Sequence, residues 1–217
     1  MAKKQLTLEE ISQIATDLQN SQSTKRRSAA KKVGKNQLTA LGDALYEAYI
    51  KERGDKRTWE TQTEMILSLG RIGYTKALPD LELIINRNEP HDMITIAAAR
   101  SYVRLKRSDL TDAKPVIDLL KNGNLSVLNG ATNILAFDEM KPLEEDIKTI
   151  ISLLDSKDEK EIAITGLGDP RESLLSAMSK WKDPSSQAYL KRFAESTNCG
   201  LKECAELALV GKKSRYE

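Results

Sequence analysis

The sequence contains few of the residues that build metal sites and disulfide frameworks. It has one histidine and two cysteines in 217 residues. A structural zinc site takes four ligands, mostly Cys and His, and a disulfide framework needs several cysteines. Cys199 and Cys204, five positions apart in a predicted helix, provide neither. We therefore predict no metal and no other cofactor, and a protein that resides in a reducing compartment.

Long apolar runs are also missing from the sequence. No segment approaches the ~20 consecutive apolar residues that a transmembrane helix needs. The first ten residues, MAKKQLTLEE, are charged and polar and lack the apolar core of a secretory signal peptide. We predict a cytoplasmic protein that does not bind a membrane.

Aromatic residues make up only 5% of the chain, and segments rich in β-branched and aromatic residues, which are typical of strands, are few. Alanine, leucine, lysine and glutamate are abundant instead, and these residues favour helices. Charged residues amount to 30%, which suits thin helical layers with much exposed surface. The net charge of +2 is too small to require an anionic partner. The composition therefore predicts an all-α protein.

A repeat of helical segments organises the chain. The apolar run LELI at 81–84 returns as IDLL at 117–120, 36 residues later, and as ISLL at 151–154, after 34 more. Each run is followed by a polar break and a second helical segment rich in alanine. Self-similarity at such a period indicates stacked helix pairs. Four glycines stand where the second helices are expected to end, and we predict helix caps there: Gly34, Gly70, Gly73 and Gly211.

This arrangement resembles the HEAT repeat family. The segment KRRSAAKKVG at 25–34 is similar to the family's second-helix pattern V-R-x-A-A-x-x-L-G, and LGRIG followed by ALPDLELI is similar to its inter-repeat pattern. The resemblance implies one domain over 1–217, a right-handed α-solenoid (HEAT-like or armadillo-like superhelix) of about six antiparallel helix pairs. We place the pairs at about 6–35, 37–73, 77–107, 113–139, 142–181 and 184–211. The fifth departs most, because EIAITGLGDPRES inserts a turn containing glycine and proline.

In HEAT-like arrays the second helices line a concave face, where partners bind. In the third pair, Arg100, Arg104 and Arg107 recur at spacings of four and three, on a face other than the apolar one. In the first pair, Arg27 and Lys31 are four residues apart, also on a face other than the apolar one. They precede Arg100 and Arg104, respectively, by 73 residues. We predict that the two stripes form parts of one basic face.

Trp59 begins the second helix of the second pair among charged residues. Tryptophan is frequent among interface anchors, although core packing competes as an explanation for both Trp59 and Trp181. Because no catalytic constellation is present, we predict a non-enzymatic scaffold that binds a protein partner on its concave face. The residues predicted to bind it are Arg27, Lys31, Trp59, Arg100, Arg104 and Arg107.

Nucleic acid is the alternative partner, since a row of cationic side chains could neutralise phosphates. One HEAT-like family consists of alkylpurine DNA glycosylases, which use a basic concave face with Trp and Asp near the lesion. This chain has Trp59 beside Glu60 and Trp181 near Asp183, with no longer motif to support the assignment. HEAT-like metal-dependent deoxyhypusine hydroxylases rely on repeated His-Glu pairs, and a single histidine, His91, excludes such a site.

Overall fold

The computed structural model describes residues 6–157 and 168–214. Within these ranges the chain forms twelve α-helices, with no strand, so the prediction of an all-α protein is confirmed. The helices are α1 (Leu8–Asp17), α2 (Ser23–Asn36), α3 (Gly42–Glu52), α4 (Trp59–Arg71), α5 (Leu78–Arg87), α6 (Met93–Lys106), α7 (Lys114–Asn122), α8 (Leu125–Phe137), α9 (Glu144–Asp155), α10 (Pro170–Met178), α11 (Pro184–Ala194) and α12 (Cys199–Leu209). Short 3-10 helices precede three of them, at Thr39–Leu41, Lys56–Thr58 and Thr75–Ala77.

The even-numbered helices contact one another in chain order. Helix α2 packs against α4, α4 against α6, α6 against α8, α8 against α10 and α10 against α12. Most odd-numbered helices pack against the helix that follows them, as α3 does against α4 and α5 against α6, whereas α9 packs against α7 and α11. Much of the turn predicted between α9 and α10, residues 161–167, lies outside the described residues. The even-numbered helices coincide with the second helices of the predicted pairs. Five of the six candidate residues lie on α2, α4 or α6, and Arg107 directly follows α6.

Small residues allow the even-numbered helices to approach closely. A Cβ atom on Gly34 would lie 2.5 Å from the Ser68 hydroxyl oxygen, and one on Gly70 would lie 2.6 Å from that of Ser101. On Gly130 it would lie 2.5 Å from a backbone carbonyl oxygen of α6. Gly34 and Gly70 therefore lie inside helices at these contacts, and the prediction that they cap helices is wrong. Gly73 and Gly211 do follow helices, with φ angles of 71° and 75°.

The chain after α12 turns back over α8 and α10. The Lys213 ammonium donates a hydrogen bond to the Ala136 carbonyl oxygen near the end of α8, at 2.8 Å. The Ser214 amide donates to the Ser176 hydroxyl of α10, at 3.4 Å. Trp181 lies nearby in the core, 5% exposed, and its indole donates to the Met140 carbonyl at 2.8 Å. Core packing therefore accounts for Trp181.

Among the described residues, no helix combines the length and the apolar character that crossing a bilayer requires.

Candidate partner-binding surface on the even-numbered helices

The structure separates the candidate residues into two groups. Side-chain contacts between α2 and α4 span from 33 residues, for Arg27 and Glu60, to 38 residues, for Ser23 and Thr61. A side-chain contact between α4 and α6 spans 35 residues. Two such steps cover a range that includes the 73 residues between Arg27 and Arg100, so the alignment of the two basic stripes stays a prediction.

The first group lies at the beginnings of α2 and α4. Arg27, Lys31 and Trp59 line one shallow depression together with Glu60 and Glu64. The Arg27 guanidinium forms an ion pair with Glu60, while Lys31 is exposed. Trp59 is the first residue of α4, and 45% of its surface is exposed. This group therefore offers an aromatic ring bordered by charges of both signs.

The second group lies at the ends of α6 and α8. The Arg104 Nε donates to Asp138 Oδ2 at 2.8 Å, and the Arg107 Nη2 donates to the same oxygen at 2.5 Å. All three side chains are largely buried, with exposures of 11 to 14%. Burial acts to raise the pKa of the Asp138 carboxyl, but the hydrogen bonds and positive charges of the two arginines outweigh it and hold that pKa below its usual value. Asp138 thus neutralises part of the predicted basic stripe.

Arg100 has a different environment from its two neighbours on α6. Its guanidinium lies over the Phe137 ring, 3.8 Å from the ring centroid, and it forms no hydrogen bond or ion pair with any described residue. Its Nε atom is buried without an acceptor. Burial lowers the pKa of Arg100 to about 10, and the positive charges of Arg104 and Arg71 act in the same direction. The carboxylates of Asp138 and Glu64 oppose this shift, so Arg100 is a half-buried cation that shares its counter-charges with neighbouring arginines.

Glu64 connects the two groups. It lines the depression that contains Trp59, and it accepts a hydrogen bond from Arg71 at 2.7 Å. Arg71 is the last residue of α4, which packs against α6, and its charge acts on that of Arg100. Arg100 contacts Phe137, of which 39% is exposed. We call the face that carries these residues, from Trp59 on α4 to Phe137 on α8, the even-helix surface.

No protein-family model and no curated protein matches this chain. The resemblance to HEAT repeats therefore stays a prediction, and the function has to be argued from the surface itself. Residues 6–157 and 168–214 contain no group of three or more His, Cys, Asp or Glu side chains that could hold a metal ion. Cys199 and Cys204 are free thiols, and burial raises the pKa of Cys204.

Sequence reasoning missed two residues of the even-helix surface, Phe137 and Asp138. A signal for Asp138 was present, because it follows Arg104 by 34 residues, the spacing of the repeat. Opposite charges one repeat apart predict an ion pair between stacked helices. Phe137 carried no comparable signal, since an apolar residue at the end of an apolar helix is typical of core packing.

Proposed function

We propose that the protein is a HEAT-like α-solenoid and a non-enzymatic scaffold that binds a protein partner on the even-helix surface. The order of helix contacts supports the solenoid, because each even-numbered helix packs against the next one along the chain. In such arrays each repeat contacts only its neighbours, and the stacked helices present an extended binding face.

The exposure of Trp59 and Phe137 carries this proposal. The chain has two tryptophans and two phenylalanines. Trp181 and Phe193 are 5% and 8% exposed, whereas Trp59 and Phe137 are 45% and 39% exposed. The two exposed rings lie on the even-helix surface, each beside an arginine. Aromatic residues and arginine are enriched at protein interfaces and dominate their binding energy.

The ion pairs of this surface favour a protein over a nucleic acid as partner. Arg27 is paired with Glu60, Arg71 with Glu64, and both Arg104 and Arg107 with Asp138. A carboxylate beside each of these four arginines reduces the positive charge that a phosphate backbone would meet, and that charge supplies most of the affinity for nucleic acid. DNA binding, including alkylpurine glycosylase activity, remains the second candidate because Trp59 is exposed beside Arg27 and Lys31.

Partner capture with matched variants tests the proposal. Immobilised protein would be exposed to an extract of its own cells, with Trp59→Ala and Phe137→Ala compared with Leu83→Ala. Leu83 is a matched control because it is also exposed (64%) but lies on α5, an odd-numbered helix. We expect the same partner on the wild type and on Leu83→Ala, and at least about tenfold less on the other two, the loss typical of an interface anchor. Equal capture by all four proteins, with unchanged helicity, would contradict the proposal.

A further inference from the structure

The second group of the even-helix surface contains more positive than negative charge. Four guanidinium groups share two carboxylates there. The carboxylates belong to Glu64 and Asp138, and the guanidinium groups to Arg71, Arg100, Arg104 and Arg107. Solvent exposure of the paired side chains is between 11 and 31%. Positive charge that is partly withdrawn from water is costly unless an anion compensates it. The cluster therefore has an excess of positive charge that an anionic ligand would compensate.

The hydrogen bonding of the cluster also favours an anionic ligand. Arg100 Nε, Arg104 Nη1 and Arg107 Nη1 are buried and have no hydrogen-bond acceptor among the described residues. Buried donors in folded proteins normally have an acceptor. The Phe137 ring covers one face of the Arg100 guanidinium and its Nε is buried, so a ligand would have to approach the terminal nitrogen atoms of that group.

We propose that Arg100, with Arg71 and Arg104 beside it, receives a phosphate monoester carried by a side chain of the protein partner. The proposal rests on the proposed function for the nature of the partner. A phosphate monoester carries about −1.5 to −2 charges at neutral pH and three acceptor oxygens, which corresponds to the excess of cations here. Guanidinium groups bind phosphate oxygens in pairs of parallel hydrogen bonds, which a lysine cannot form.

Two features favour a phosphorylated side chain over a nucleic-acid backbone. A phosphodiester carries one charge per group and would leave part of the excess uncompensated, whereas a monoester matches it. The cations also lie in the second half of α4 and of the α6 segment, whereas Glu60 lies in the first turn of α4. A backbone that continues along the surface would therefore meet carboxylates as well as guanidinium groups.

The direct test is a titration with inorganic phosphate, followed by arginine side-chain NMR at constant ionic strength. Wild-type protein would be compared with Arg100→Gln and with the matched control Arg57→Gln, since Arg57 is 89% exposed and pairs only with its near neighbour Asp55. We expect a saturable shift of the Arg100 Nε–H signal. Binding should weaken at least about tenfold in Arg100→Gln and stay unchanged in Arg57→Gln, as loss of a charge-assisted hydrogen bond predicts. Absence of a saturable shift, or equal binding by Arg100→Gln, would overturn the proposal.

Two further arms identify the source of the phosphate. N-acetyl-O-phosphoserine amide should bind at least as well as inorganic phosphate, and N-acetylserine amide should not bind. Binding of inorganic phosphate alone would refute the assignment to a phosphorylated side chain. Phosphatase treatment of the extract should abolish partner capture; capture that survives it would overturn this inference and leave the proposed function standing. Duplex DNA that competes with phosphate for Arg100 would instead assign the site to nucleic acid.

Discussion

Replacing Asp138 by Asn removes the one carboxylate that Arg104 and Arg107 share. Asp138 accepts hydrogen bonds from Arg104 Nε at 2.8 Å and from Arg107 Nη2 at 2.5 Å, and it also accepts one from Arg104 Nη2. Asparagine has nearly the same shape but is neutral, and only one of its terminal atoms is an acceptor. The substitution therefore leaves two largely buried guanidinium groups without a counter-charge.

The expected loss of stability follows from the burial of this cluster. Breaking a fully buried ion pair costs about 3–5 kcal/mol. The three side chains retain 11 to 14% exposure and asparagine keeps one acceptor, so we expect about 2–3 kcal/mol. For a chain of 217 residues this lowers Tm by roughly 4–12 °C, measured by far-UV circular dichroism. The matched control is Asp118→Asn, because Asp118 pairs with Lys121 on the surface of α7 and should change the free energy of unfolding by less than about 0.5 kcal/mol.

The pH dependence of the same variant gives a second readout. The pKa of Asp138 in the folded protein is lowered relative to its usual value. A lowered pKa contributes stability that is present above the unfolded-state pKa of about 4 and is lost as pH falls through the folded-state value. The difference in stability between wild type and Asp138→Asn should therefore be full at neutral pH and shrink below about pH 4. A difference that is absent at neutral pH, or that grows on acidification, would refute the role assigned to Asp138.

Two further substitutions test the packing and the status of Arg100. Gly130→Ala should lower the free energy of unfolding by at least about 1 kcal/mol, since the new Cβ meets a backbone carbonyl at 2.5 Å. Gly54→Ala, whose new Cβ has no atom within 4 Å, should leave the protein equally stable or stabilise it. Equal effects of the two substitutions in chemical denaturation would show that the close approach at Gly130 is wrong. Arg100→Met should leave the free energy of unfolding unchanged or raise it, because it removes an incompletely compensated charge; a loss above about 1 kcal/mol in the same assay would assign Arg100 a structural role.

The helices could be predicted from the sequence because their apolar periodicity is strong and tertiary packing agrees with it. The structural role of the glycines in the even-numbered helices could not be predicted. In the sequence, a glycine near the end of a helical pattern looks the same in two different roles. It can adopt a left-handed conformation, as Gly73 does at φ 71°, or it can allow a neighbouring helix to approach closely, as Gly70 does. Only the distance to Ser101 distinguishes the two cases.

The candidate surface was predictable in part. Arg104 and Arg107, which were predicted to lie together, do share Asp138, although Arg107 directly follows α6. The charged context of Trp59 is consistent with its 45% exposure. The register between helices could not be derived from the sequence, because side-chain contacts between α2 and α4 alone span from 33 to 38 residues. The neutralising role of Asp138 was missed because one helix was considered at a time, whereas the pair joins two helices across 34 residues.

The most direct test of the central claim, that the even-helix surface recognises a protein, is fluorescence anisotropy of labelled duplex DNA titrated with the purified protein. The titration would be run at low salt and again near physiological ionic strength, with wild type and Trp59→Ala in parallel. Since most arginines of this surface are paired with carboxylates, we predict that any binding at low salt disappears near physiological ionic strength and does not depend on Trp59. Binding that persists at physiological ionic strength and is lost in Trp59→Ala would contradict the account and identify a DNA-binding surface.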